Sequence, residues 1–208
     1  MELAHEIRNP LGSIELYASM LDGDYAEQIV RSVRLLNHSV TNILQFGKPI
    51  VPMPAWMPVR QLLEGIQVFL QPLADQKNIR IVTDCDPDCF VTADHELLHR
   101  MVLNLVLNAI RETPTDGTVR LSGQVAGRDI LIVVGDTGPG IQEERMARIF
   151  DPMFSTSREG CGLGLPIVKR IVESHKGTIA VNSSRNGTRF LITIPHNMEV
   201  VREPIACC

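Results

Sequence analysis

Over residues 2–47 the apolar positions recur with a helical period. Leu3, Ile7, Leu11, Ile14, Ala18 and Leu21 form one stripe, and Ile29, Val33, Leu36, Val40 and Ile43 follow in steps of 4, 3, 4 and 3. The second set is the a/d seam of a helical bundle or coiled coil. The spacing predicts helices over 2–21 and 25–47. The short Asp22-Gly23-Asp24 turn between them makes the pair an antiparallel hairpin. Two helices seldom bury enough apolar surface alone, so pairing with a second copy into a four-helix bundle is expected.

The pattern then breaks. "KPIVPMPAWMP" (48–58) holds four prolines in eleven residues. Proline fixes φ and removes an N–H donor, so an extended linker is expected, with Trp56 free to pack on a neighbour. Beyond it the periods of 3.6 and 2 alternate. Helices are predicted over 59–76, 94–112, 142–150 and 162–175. "IRIVTD" and "CFVTA" read as short strands. "TVRLSGQVAGRDILIVVGD" reads as a hairpin turning at Gly127, and "GTIAVNSSRNGTRFLITIP" as a second one turning at Asn186-Gly187. Hairpins alternating with helices predict an α/β sandwich, an antiparallel or mixed sheet with helices on one face. With the helical hairpin in front, the fold class is α+β.

Composition changes this picture little. The 208 residues are 44% hydrophobic and 21% charged, which is globular, and the net charge of −4 gives no reason to expect nucleic acid. No apolar run approaches the ~20 residues that span a bilayer, and no signal-peptide pattern opens the chain. The expectation is a soluble cytoplasmic fragment without membrane contact, though the full-length protein could be membrane-anchored. The five cysteines, Cys85, Cys89, Cys161, Cys207 and Cys208, lack zinc spacing and read as reduced thiols. His95 and His99 sit four residues apart without a third ligand in sight.

Three stretches carry candidate chemistry. In "NLVLNAIRE", Asn104 and Asn108 lie one turn apart on one helix face, with Arg111 on the same side. Amide oxygens are hard ligands suited to Mg²⁺, which needs few protein ligands when phosphates supply the rest. Backbone capping by the same amides is the plain alternative. In "VVGDTGPGI" (133–141), Asp136 ends a strand before Gly138 and Gly140. A carboxylate there can accept from an exocyclic amine, and glycines let backbone approach a flat ring. In "GCGLGLPIVKRIV" (160–172), glycines precede a helix N-terminus, where free N–H groups and the dipole suit phosphate. Each is weak alone.

Together and in order they resemble the N, G1 and G2 boxes of the histidine-kinase ATP-binding domain. "RIFDPMFSTS" is similar to its F box, and "HEIRNPL" at the start is similar to its H box. The resemblance covers about residues 2–195. Phe154 to Gly160 most resembles the nitrogen-regulation-type sensor kinases. The fold implied is a dimeric four-helix bundle followed by an ATP-binding sandwich of the histidine-kinase/gyrase type. The expected layout is 1–48 for dimerisation and phosphotransfer, 49–58 for the linker, 59–196 for ATP binding and 197–208 for a tail.

The roles implied follow residue by residue. His5 would accept the γ-phosphoryl group of ATP and pass it to an aspartate of a response regulator receiver domain. Glu6 would handle the imidazole proton. Asn9, one turn on, would place a water for dephosphorylating the regulator, and Pro10 would kink the helix. Asn108 would bind Mg²⁺, with Asn104 supporting it and Arg111 near phosphate. Asp136 would read the adenine amine, with Gly138 and Gly140 shaping the pocket. Gly162, Leu163 and Gly164 would let the nucleotide lid fold over the phosphates. Cys161 and Ser157 depart from the Thr and Lys of relatives. Asn104 stands where related ATPases carry a water-activating Glu, and an amide is no general base, which favours transfer over hydrolysis. The chain opens only four residues before His5, so a weakened dimer is expected. A decayed docking module and an ATP-driven clamp are the competing readings.

Overall fold

The computed structural model describes residues 49–155 and 162–195 and, before them, Ile14, Tyr17, Ile29, Val30, Val33, Leu36 and Val40. The chain divides into two compact units, Met1–Pro49 and Ile50–Cys208. In the first, all seven described positions before residue 49 are helical. Of the expected seam, Val33 is buried and Val40 half-buried, while Ile29 and Leu36 remain exposed in the single chain. Ile43, the first stripe other than Ile14, and the 22–24 turn lie outside the described residues.

The second unit runs β1 (Ala55–Pro58), α1 (Val59–Asp75), β2 (Arg80–Cys85), β3 (Phe90–Ala93), α2 (His95–Glu112), β4 (Thr118–Ala126), β5 (Asp129–Asp136), α3 (Glu143–Met146), α4 (Gly164–Ser174), β6 (Thr178–Ser184) and β7 (Gly187–Pro195). Five strands form one sheet in the order β2-β4-β5-β7-β6. The β2–β4 pair is parallel and the others are antiparallel, so the sheet is mixed. Strand alternation puts Val119, Leu121, Ile130, Ile132, Val134, Phe190 and Ile192 on one buried face. Helices α1, α2 and α4 cover that face, as the sandwich requires. Helix α2 is apolar over most of its circumference, because α1, α4 and the sheet all pack on it. Leu98, Met101 and Leu105 on it are fully buried.

Three local expectations are corrected. The second half of the linker is a strand rather than free extended chain. Ala55–Pro58 pairs antiparallel with Phe90–Ala93, and Trp56 stacks on Phe90 at 5.4 Å. The proline spacing leaves enough N–H groups for a short two-stranded ladder. The helix expected over 142–150 is a single turn, Glu143–Met146, followed by further turns. Asp151 precedes Pro152, which disfavours helical backbone there, and Ile149 is drawn into the core. The second hairpin turns at Arg185-Asn186, not at Asn186-Gly187, because Ser184 pairs with Gly187. The glycine has another use, described below.

The Cys85 and Cys89 thiols are buried and hydrogen-bonded to each other. Burial pushes both up, Cys89 to about 12, so both are protonated and inert at neutral pH.

Candidate nucleotide site

The site begins with the cap of α2. The Asp94 carboxylate accepts from Leu97 N–H at 3.0 Å through Oδ1 and from Met53 N–H at 2.9 Å through Oδ2. The Asp94 N–H itself donates to Nε2 of His175 at 3.0 Å. His175 ends α4, and its Nδ1 lies 2.9 Å from the Ile171 carbonyl. The start of α2 and the end of α4 are thus tied by one polar chain. Burial acts to raise the Asp94 carboxyl, but the donors from Met53, Leu97 and Glu96, with His175, outweigh it and hold it below the usual value.

Beyond that tie, the middle of α2 meets the start of α4. Asn104 is buried at 7% exposure, and its Nδ2 donates to the Arg100 carbonyl at 2.9 Å. A Cβ placed on Gly164, the first residue of α4, would stand 3.2 Å from the Asn104 Oδ1. The glycine helix start and the buried amide therefore face each other. One turn on, the Asn108 Oδ1 accepts from Nη2 of Arg111, whose Nε donates to Glu112 at 3.1 Å. At the far end of α2 the Lys77 ammonium donates to the carbonyls of Ile110, Arg111 and Thr113. It supplies a cation to the negative end of the helix.

Asp136 closes the site from the sheet. Its Oδ1 accepts from Gly138 N–H at 2.8 Å and Thr188 N–H at 3.3 Å. Among the described residues its Oδ2 has no hydrogen-bond partner, so one carboxylate oxygen is left for a ligand donor. Burial raises the Asp136 carboxyl above its ordinary value; the two backbone donors act the other way and Glu112 adds to the rise. Two glycines make the approach possible. A Cβ on Gly187 (φ 132°) would stand 1.9 Å from the Asp136 carbonyl oxygen, and one on Gly140 (φ 78°) 1.9 Å from that of Ser184. The Ser183 hydroxyl then accepts from Ile141 N–H at 2.8 Å, fixing the loop beyond Gly140. Thr188 and Ser183 were not singled out from sequence, and Gly187 only as a turn residue. The only signal for them was an Asn-Gly pair whose obvious reading was a turn.

Helix α4 begins after Leu163, which is buried, and Gly162 (φ 66°). The Met153 N–H donates to the Gly162 carbonyl at 3.0 Å. Among the F-box side chains, Arg148 lies 4.6 Å from the Phe154 ring and 3.5 Å from Asp151. The structure thus brings Asn104 to Gly164, Gly138 to Asp136, and the Glu112 carbonyl to within 2.9 Å of a Gly138 Cβ position. His5, Glu6, Asn9, Ser157 and Cys161 lie outside the described residues.

The donor set fits an adenine nucleotide with a hard cation. It offers one carboxylate oxygen for an amine, two amide side chains and a helix start opened by Gly162 and Gly164. Among the described residues no helix is long and apolar enough to cross a membrane.

Known proteins resemble the chain in sequence and in fold. Residues 93–198 match the histidine kinase-, DNA gyrase B- and HSP90-like ATPase family, and residues 2–49 match the His kinase A (phospho-acceptor) domain. The chain belongs to the histidine kinase-, DNA gyrase B- and HSP90-like ATPase family. It is 33% identical over 209 residues to the sensor histidine kinase ZraS of Escherichia coli O157:H7, covering 94% of this chain and 45% of that one. Full-length ShkA, solved in complex with AMPPNP, superposes with a TM-score of 0.74 at 28% identity, over 94% of this chain and 45% of that one. Histidine kinase ThkA, solved in complex with the response regulator protein TrrA, does so at 0.67 and 28%, over 94% and 60%. The chain spans 34% to 45% of the length of the first curated relatives it matches.

Proposed function

We propose that the chain is the catalytic core of a sensor histidine kinase. His5 takes the γ-phosphoryl group of ATP, and the phosphohistidine passes it to an aspartate of a response regulator. The observation that carries this reading is that one helix, α2, meets both glycine motifs: Asn104 faces Gly164, and the Glu112 carbonyl faces Gly138, which is bonded to Asp136. The AMPPNP complex of ShkA and the regulator complex of ThkA support the two ligands by similarity.

Each residue has a task. The Asp136 Oδ2 accepts from the adenine amine. The Asn108 oxygen, with Asn104 behind it, holds Mg²⁺, and Arg111 turns from that oxygen toward phosphate. The cation supplies charge neutralisation on the transferred group. Gly162, Leu163 and Gly164 let the lid close and keep water out. Glu6 takes the imidazole proton as His5 is phosphorylated. Asn9 places a water for removing the phosphoryl group from the regulator, a second activity of the same core. Residues 1–48 pair two copies into a four-helix bundle. The apolar Ile14, Ile29 and Leu36, exposed in the single chain, support that pairing. Residues 49–54 link it to the catalytic domain, which opens with β1 rather than at residue 59 and runs to 196, and 197–208 form a tail. The sequence of Phe154–Gly160 supports the nitrogen-regulation-type group by resemblance.

Calorimetry with AMPPNP and Mg²⁺ tests the binding half. Wild type should bind, and Asn108→Ala should lose at least about tenfold in Mg²⁺-dependent affinity, the cost of one charge-assisted contact. A protein that takes up no nucleotide at millimolar Mg²⁺ is a docking module instead. For the second activity, Asn9→Ala should keep the kinase reaction and slow loss of label from the phosphorylated regulator. Unchanged loss would remove Asn9 from that role.

A further inference from the structure

Among the described residues of the second unit, helices cover only one face of the large sheet. On the other, strand register aligns Val82, Arg120, Gly135, Arg189 and Asn182 in a single row across all five strands. Arg120 and Arg189 thus sit on strands β4 and β7, two strand spacings apart, or about 10 Å. Between them stands a residue with no side chain. A Cβ on Gly135 would already come within 3.3 Å of the Arg189 Cγ. The gap is a cavity of about 290 Å³ with Val133 and Gly135 in its floor, the two arginines in its walls, and Thr118, Ser122, Asp136 and Thr137 around it. Both arginines are exposed, and neither side chain has a hydrogen bond or ion pair with a described residue. Asp84, one row along beside Ser122, is not joined to Arg120 by an ion pair.

Asp136 borders both this cavity and the candidate nucleotide site, but the two lie on opposite faces of the sheet. The Asp136 side chain follows the alternation of Ile130, Ile132 and Val134 toward the helices, whereas Val133 and Gly135 face the other way. Two guanidiniums with planar donor forks, flanking a gap edged by hydroxyls, match an oxyanion. Their joint charge matches a dianion, and one arginine would suffice for a monocarboxylate. The apolar Val133 floor suits a small organic body attached to that anion.

We propose that the open face of the sheet holds a second anion site, Arg120–Gly135–Arg189, that takes phosphate as a small phosphomonoester or as the free ion. It stands independently of the kinase reading. The test is an NMR titration of the full ¹⁵N-labelled chain at fixed ionic strength with inorganic phosphate, phenyl phosphate and acetate. Saturable shifts are expected at amides 118–122, 133–137 and 189, with acetate at least tenfold weaker. Tighter binding of phenyl phosphate assigns the esters, and equal binding assigns the free ion. Arg120→Gln with Arg189→Gln should abolish the shifts, and so should Gly135→Val, which fills the gap and keeps both charges. AMPPNP binding in the double variant should match wild type, reporting an intact fold. Shifts that never saturate, that survive the double variant, or that acetate produces equally well would overturn the proposal.

Discussion

Asp136 shows how much of the site rests on single atoms. Its Oδ1 is spent on two backbone donors and its Oδ2 is kept for a ligand. Asp136→Ala should weaken adenine nucleotides by about ten- to a hundredfold, the worth of one charge-assisted bond, and should leave guanine nucleotides as weak as before. Because burial raises this carboxyl, pH acts with two signs. In the free protein the protonated form is favoured by folding, so the contribution of Asp136 to stability is fullest below its unfolded pKa and is lost as pH rises through the raised one. The amine is accepted best by the ionised form, so nucleotide affinity should fall on acidification, starting above the ordinary carboxylate range. Calorimetry across that range checks this, and a flat profile would remove Asp136 from adenine recognition. Gly187 is the second such point. A methyl there meets the Asp136 carbonyl at 1.9 Å, so Gly187→Ala must shift β5 or β7. A loss of about 1–3 kcal/mol in denaturant unfolding is expected. The same change in an ordinary type I′ turn would cost no such backbone displacement.

At the scale of elements, α2 organises the domain. It is capped by Asp94 at its start and by Lys77 at its end. Asp94→Ala should destabilise the fold by about 1–2 kcal/mol, since it removes the cap and the tie to Met53 together. The Asp94 carboxyl is held below its usual value, so this stability is present above the unfolded pKa and is lost as pH falls through the folded one. Wild type and variant should therefore converge in acid, as thermal unfolding at several pH values would show. The helix, its apolar faces and the Asn104–Asn108 spacing were legible in the sequence, because a 3.6-residue period leaves few alternatives. The two hairpins were legible from β-branched alternation. What sequence did not carry was contact between distant segments. Trp56 looked like linker because prolines surround it, and only Phe90 across the ladder makes it a strand residue. The Asn-Gly pair looked like a turn because turn chemistry is local. Its real constraint, the Asp136 backbone, lies some fifty residues away. The helix over 142–150 failed for a local reason that was available, Asp151 before Pro152.

For the whole molecule, the two compact units answer to different physics. The second has a large buried core on one side of a sheet. Truncating a core residue such as Leu105 should cost about 2–5 kcal/mol without touching the site chemistry. The first leaves Ile14, Tyr17, Ile29 and Leu36 exposed, which a second copy would cover. The proposed kinase reaction needs both, one to place the phosphoryl donor and one to present the acceptor. Incubation of the full chain with γ-labelled ATP and Mg²⁺, followed by peptide mapping, measures this most directly. Acid-labile label on His5 in wild type, absent from His5→Ala and from Asn108→Ala, is the predicted result. Nucleotide bound and turned over with no label on His5, or label that persists in His5→Ala, would contradict it.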